Sequence, residues 1–421
     1  MEGKQRSVYA AREMLLPASA TSDAARLVSA RALRGLADGF VSVYLAAYLQ
    51  SIGFSAFQVG AIVTATLLGS AALTLAVGLV AHRLAPRRVL IGATVLMLAT
   101  GVGFALITDF WLLLLIGFAG TLNPSSGDVS VFLPTEQSIL AREVTPADRT
   151  ALFARYSLGG TLLGAFGALL SGLPQIAATR LDWDLVTAFR TGFALYGAVA
   201  LWIATLYLGM RHGRSPATAA ARSVPLARSR AIVFRLTALF ALDSFGGGFA
   251  VDSLLALWLF LRFDLSLQAA GSVFFGARML SALSQLASPG IAARFGLIET
   301  MVFTHIPANV FLVLAAFMPN PTLAVTFLLL RMAFSQMDVP ARQSYVMAVV
   351  LPEERAAAAS VTNVPRSLAT ALSPLLAGAL LQRSTFGWPL VVGGLLKITY
   401  DVLLLMQFRR VRPPEDRGVT G

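Results

Sequence analysis

The chain has 421 residues, of which 57% are hydrophobic and 13% charged, with a mean hydropathy of +0.73 and a formal net charge of +12. A water-soluble protein of this size carries far more charge on its surface, so the composition excludes a soluble globular domain. There is no cysteine, which excludes disulfides and thiolate metal sites, and His82, His212 and His305 lie far apart in sequence, which gives little support to a metal centre.

Residues 1–28 are charged and polar apart from Met14-Leu-Leu-Pro17, a patch too weak for a signal-peptide core, and read as a cytoplasmic tail. Long apolar runs follow. About 20 apolar residues cross the hydrocarbon as a helix, and these runs do not alternate as barrel strands do. In a first half, residues 29–210, the predicted spans are Ala30–Gln50, Phe57–Val80, Val89–Ile107, Trp111–Gly127, Leu152–Leu173 and Phe189–Met210. Asp38 lies inside the first span, where a charge costs about 2.5–3.5 kcal/mol on insertion scales. It is either a proton-coupling carboxylate or an ion neutralised by Arg34, one helical turn earlier. The fourth span is broken by Asn123-Pro124-Ser-Ser-Gly-Asp128, and a break of this kind exposes backbone groups to a ligand or serves as a hinge. Glu136–Arg149 is amphipathic and predicts a short helix on the inner membrane surface. In the fifth span, Gly159-Gly160 … Gly164 … Gly167 places small residues where helices pack closely.

Residues 211–235, rich in Arg, Ser, Ala and Pro, have no apolar face and read as a cytoplasmic linker. A second half, residues 236–408, repeats the pattern with Leu236–Arg262, Leu267–Ser288, Glu299–Phe317, Thr322–Met337, Ser360–Leu381 and Trp388–Phe408, followed by a tail at 409–421. Pro134-Thr-Glu136-Gln137-Ser138 … Pro146-Ala-Asp148-Arg149 faces Pro340-Ala-Arg342-Gln343-Ser344 … Pro352-Glu-Glu354-Arg355 at a constant offset of 206 (342 against 136, 352 against 146), and Gly172 meets Gly378 at the same spacing. Arg342–Arg355 is therefore expected to form a second surface helix. Asp243 repeats Asp38 closely and is the second candidate for proton coupling. Asp252, nine residues on, is expected to be solvated at a cavity mouth. Arg278 and Arg331 are deep cations that need a carboxylate or an anionic ligand, and Asp243 is a plausible partner. Lys397 and Asp401, four residues apart, are expected to pair with each other, and His305 reads as a hydrogen-bonded interior residue. Gly246-Gly247-Gly248 loosens the seventh span, and interrupted helices in both halves point either to a midplane site or to a hinge or close packing by small residues.

Arginines collect in alternate connections (Arg83, Arg87 and Arg88; Arg142 and Arg149; Arg211 to Arg235; Arg342 and Arg355; Arg409, Arg410 and Arg412), whereas Gln50–Ala56, Thr108–Trp111 and Met318–Thr322 carry almost none. This alternation places both termini and the middle linker in the cytoplasm and requires an even number of spans. It also excludes a nucleic-acid face, which would gather its charge on one soluble patch. The expectation is an all-α polytopic membrane protein with twelve transmembrane helices in two pseudo-symmetric six-helix halves.

That organisation resembles the major facilitator superfamily. The residues carrying the resemblance are Gly78-Leu-Val-Ala-His82-Arg83-Leu-Ala85-Pro-Arg87-Arg88, which follow the family's signature loop with His82 at its acidic position and Ala85 at its second glycine. The resemblance implies a gating loop built from Gly78, His82, Arg83, Arg87 and Arg88, without the acidic latch. Asp128 … Glu136-Gln137-Ser138 and Met337-Asp338-Val-Pro340-Ala-Arg342 look like a poorly characterised bacterial and fungal branch. The functional expectation is a monomeric secondary transporter in the plasma (inner) membrane. It would move a small solute by alternating access, coupled to protons through Asp38 or Asp243 with Arg278 and Arg331 nearby, and without a cofactor or metal. The glycine string of span five slightly favours export. No phosphate-cradling loop and no nucleophile motif supports ATP drive or an enzyme. The alternative is a membrane receptor or assembly factor that binds a ligand and moves nothing.

Overall fold

A computed structural model describes residues 16–80, 83–125, 130–211, 229–351 and 354–409. All regular structure among them is helical. The first half comprises α1 (Ser22–Ser51), α2 (Ala56–Val80), α3 (Pro86–Leu106), α4 (Phe110–Ala119), α5 (Phe132–Leu140), α6 (Arg149–Leu170), α7 (Leu173–Leu181) and α8 (Leu185–Leu208). The second comprises α9 (Arg230–Gly248), α10 (Asp252–Phe263), α11 (Leu267–Phe295), α12 (Leu297–Phe317), α13 (Pro321–Phe334), α14 (Asp338–Val349), α15 (Arg355–Arg383) and α16 (Trp388–Phe408). Side-chain caps set several starts. Thr21 accepts from the Ala24 amide at 3.3 Å, Asp109 from Leu112 at 3.0 Å and Asn320 from Leu323 at 2.9 Å. The Thr21 cap starts α1 well before the expected Ala30.

Nine helical stretches among the described residues are long and apolar enough to cross a bilayer. The expected twelve is not reached by hydropathy because three segments dilute the signal. α1 carries Arg31, Arg34 and Asp38, α11 carries Arg278, and the fourth span is divided into α4 and α5. The internal repeat is visible in the helix starts: α5 and α14 begin at Phe132 and Asp338, and α6 and α15 at Arg149 and Arg355, all at the sequence offset.

Packing repeats too. α1 lies on α6 and α3 on α8, just as α9 lies on α15 and α12 on α16. Glycines bring α1 and α6 together, because a methyl group at Gly35 or Gly39 would run into the backbone of Gly160 or Gly164. The halves meet through α2 against α15 and α6 against α11. One apolar core passes through both halves, and a second cluster around Val233, Phe240, Met301, Tyr345 and Phe408 lies within the second half.

The halves are closed at one end and parted at the other. A methyl group at Gly60 would sit 2.5 Å from the Pro374 carbonyl oxygen, and one at Gly378 would sit 2.6 Å from that of Ala56. This backbone contact adjoins the arginine-poor connection before Ala56. Toward the arginine-rich connection the buried residues of α2 stop at Ser70, and the rest of the helix is partly or fully exposed. Beyond Ala277, α11 buries only Ser284 and Ser288.

Candidate functional site

Two interrupted helices meet at the centre. α4 ends at Ala119, where Gly120 turns to extended backbone four residues before Pro124, and three consecutive glycines end α9. Carbonyls freed by the first break are taken up by the second. The Ser253 amide donates to the Pro124 carbonyl at 3.2 Å, and Ser253 Oγ lies 2.6 Å from the Ser42 carbonyl and 3.0 Å from that of Pro124. Of the predicted interruption, Asn123 and Pro124 lie at this seam and Asp128 lies outside the described residues.

Arg278 crosses the seam, donating from Nη2 to Ser42 Oγ at 2.8 Å and to Asp252 Oδ2 at 2.7 Å. Its partner is thus Asp252 rather than the expected Asp243. The chain turns after Gly248, so Asp252 opens α10 facing α11 and is ion-paired, not merely solvated. Asp38, on the first-half side of the seam, is buried and accepts a hydrogen bond from Asn123. The charges surrounding it are Arg34, Arg31 and Arg278. Arg331 lies on α13 near the level of Arg278, since Gly276 and Leu329 are neighbours. Its electrostatic partners are Asp252 and Asp243. Among the described residues it has no carboxylate within ion-pair distance; its Nε is buried without an acceptor, and its Nη1 reaches only the Met332 sulfur at 3.3 Å.

Arg34 acts on Asp38 through its charge but makes no direct ion pair with it. Arg34 turns instead to Glu136, with Nη1–Oε1 at 3.0 Å and Nη2–Oε2 at 2.5 Å. Tyr207 donates to Glu136 at 2.6 Å, Tyr156 donates to its other oxygen, and the Arg34 guanidinium lies 4.4 Å from the Phe132 ring centroid. All four polar residues are fully enclosed. Glu136 therefore belongs to a buried half-span, and the expected surface helix is corrected. Ile139 and Leu140 gave the segment an apolar side suited to a membrane surface, but both are buried in the protein and the carboxylate faces inward to satisfy Arg34.

The equivalent segment of the second half corrects its expectation in the same way, because Arg342 on α14 is buried and binds Asp243 Oδ2 at 2.9 Å and Asp338 at 3.3 Å. The repeat thus keeps an ion pair between corresponding segments and reverses its polarity: Arg34 with Glu136, Asp243 with Arg342. Lys397 does not pair with Asp401. Its Nζ donates to Asp243 Oδ1 at 2.6 Å, while Asp401 takes His305 Nδ1 at 2.9 and 3.0 Å. The local four-residue spacing loses to partners on α9 and α12 that enclose both charges. Asn309 adds a hydrogen bond to the His305 carbonyl at 2.9 Å. Asp243 accordingly lies inside the second half, held by two cations, apart from the Arg278–Asp252 pair. Sequence spacing missed this network because its members come from four helices.

In the basic connection, Arg87 donates from Nε to the Tyr207 carbonyl at 2.8 Å and from Nη2 to that of Leu208, binding the end of α8. Gly78 ends α2 in open space, Arg83 and Arg88 flank the start of α3, and His82 lies outside the described residues.

Comparison with known proteins agrees with this geometry. The sequence profile of the Major Facilitator Superfamily matches residues 27–363. An uncharacterized membrane protein of Saccharomyces cerevisiae, YJR124C, is 24% identical over 410 residues, covering 89% of this chain and 92% of its own. Among solved structures, the nucleoside transporter NupG superposes with a TM-score of 0.73 at 14% identity, covering 92% of this chain and 100% of its own. A bacterial homolog of the human lysosomal transporter Spinster, inward-facing and occupied, gives 0.71 at 16% identity over 92% of this chain and 96% of its own. At these identities the structural likeness establishes the fold.

Proposed function

The chain belongs to the major facilitator superfamily, and we propose that it is a secondary active transporter that moves a small solute by alternating access, coupled to protons. The observation that carries this reading is the seam. Two interrupted spans join across the halves, beneath a contact that closes the arginine-poor end and above a gap that opens on the arginine-rich end. In this reading the open end faces the cytoplasm, both termini lie on that side, the membrane is the inner one, and the direction is export. Asp38, Asp243, Arg278 and Arg331 remain the charged residues assigned to solute and proton. Asp243 is already held by two cations, whereas Arg331 has no carboxylate within ion-pair distance among the described residues, and this favours an anionic solute over a cation.

The test uses purified protein in lipid vesicles exposed to a mixture of organic acids, phosphate esters, nucleosides, peptides and amines, with and without an imposed pH gradient. Mass spectrometry of the vesicle contents should show protein-dependent accumulation of an anion that needs the gradient, and Arg331→Gln should lower it at least tenfold. Vesicle contents identical to those of protein-free controls for every solute class would overturn the transport reading.

A further inference from the structure

His305 lies among buried charges. Asp401, Asp243 and Lys397 approach the ring directly, and Arg342, Asp338 and Arg366 stand behind Asp243. Both Asp401 oxygens lie within 3.0 Å of His305 Nδ1, so ring and carboxylate share a hydrogen bond, and Asn309 Nδ2 lies 3.2 Å from the same nitrogen. The ring Nε2 faces Lys397 Nζ at 3.5 Å and Asp243 Oδ1 at 3.8 Å. A proton added at Nε2 places a further cation beside Asp243 Oδ1.

We propose that the His305–Asp401 pair is a further proton-binding site of this protein, loaded at His305 Nε2, in contact with Asp243 and set back from the central seam. This rests on the reading of a proton-coupled transporter and names a further group that carries the proton. The charged and titratable neighbours are accounted for from each packed helix. α16 supplies Lys397, Tyr400 and Asp401, and α9 supplies Asp243, backed by Arg342 and Asp338 of α14. α13 supplies Arg331, which feels the charges of Asp252 and Asp243; α15 supplies Arg366, which donates to Ser244 at 3.2 Å; α11 supplies Arg278, held by Asp252. Asn309 lies on the same helix as His305. Protonation turns the ring from an acceptor toward Lys397 into a cation that competes with Lys397 for Asp243 Oδ1. No other bond is made or broken. Asp243 sits just before Gly246–Gly248 on α9, so its change of partner acts directly on the interruption that meets Pro124. The proton is thereby linked to the seam without residing in it.

The absence of cysteine makes a direct test possible. Spin labels at Leu79→Cys on α2 and Leu286→Cys on α11, which are 69% and 74% exposed in opposite halves, report the opening of the gap. In vesicles the distance distribution of the parent should exchange between two populations along a one-proton curve between about pH 5 and pH 8. His305→Gln keeps an N–H for Asp401 but cannot titrate, and should hold one population throughout that range; Asp401→Asn should also flatten the curve. Independently, with His82→Asn and His212→Asn leaving one histidine, the nitrogen resonances of the His305 ring should titrate with the same midpoint. A His305→Gln protein that follows the parent curve, or a ring that does not titrate between about pH 5 and pH 8, would overturn the assignment while leaving proton coupling intact. A parent indifferent to pH would remove both. The resonance measurement decides the matter even where His305→Gln does not fold.

Discussion

Arg34 and Glu136 stand 102 residues apart and enclose each other with two tyrosine hydroxyls. Glu136→Gln leaves the guanidinium buried without its countercharge, a situation that costs about 3–5 kcal/mol. Thermal unfolding in detergent should therefore show strong destabilisation for Glu136→Gln, and a smaller loss for the double replacement Arg34→Met with Glu136→Leu, which removes both charges. Equal losses for the single and the double variants would mean that the pair does not act as a unit. The sequence showed each of these charges and none of their long-range partners. Four-residue spacing suggested Arg34 with Asp38 and Lys397 with Asp401, because a chain read alone reveals only neighbours on one helix. The actual partners come from other helices, where enclosing a charge without a partner costs more than a local surface pair gains.

At the scale of single helices, the interruptions were legible because their signals are local: Asn123-Pro124 within the break that begins at Gly120, and a glycine run at 246–248. The inner halves of the divided spans were not legible. Glu136 and Arg342 look like the polar side of a surface helix until the buried partner on α1 or α9 is known. The glycines of α2 and α15 act at the same scale. Gly378 leaves only 2.6 Å between an added methyl and the Ala56 carbonyl, so Gly378→Val should push the arginine-poor end apart. A cysteine at Phe57, reacted with a membrane-impermeant maleimide, should label several times faster in the Gly378→Val background. Unchanged labelling would show that this contact does not hold the end closed.

For the whole molecule, the constant offset, the helix starts that obey it and the matched packing of α1 on α6 and α9 on α15 describe one unit used twice. The repeat and the arginine alternation made this architecture readable from sequence, since both are statistical properties of long segments that do not depend on any one contact. The number of spans was less accessible to hydropathy, because the helices that carry the central charges are the least apolar ones.

Alternating access requires the arginine-poor end to open during each cycle. Phe57 and Gln382 meet there, with the Phe57 amide 3.5 Å from the Gln382 side-chain oxygen. In the naturally cysteine-free chain, Phe57→Cys and Gln382→Cys can be joined by a short bis-maleimide, locking α2 to α15. Solute accumulation in vesicles should stop in the cross-linked double variant and persist in both single variants treated identically. Accumulation at the parental rate after complete cross-linking would contradict the account.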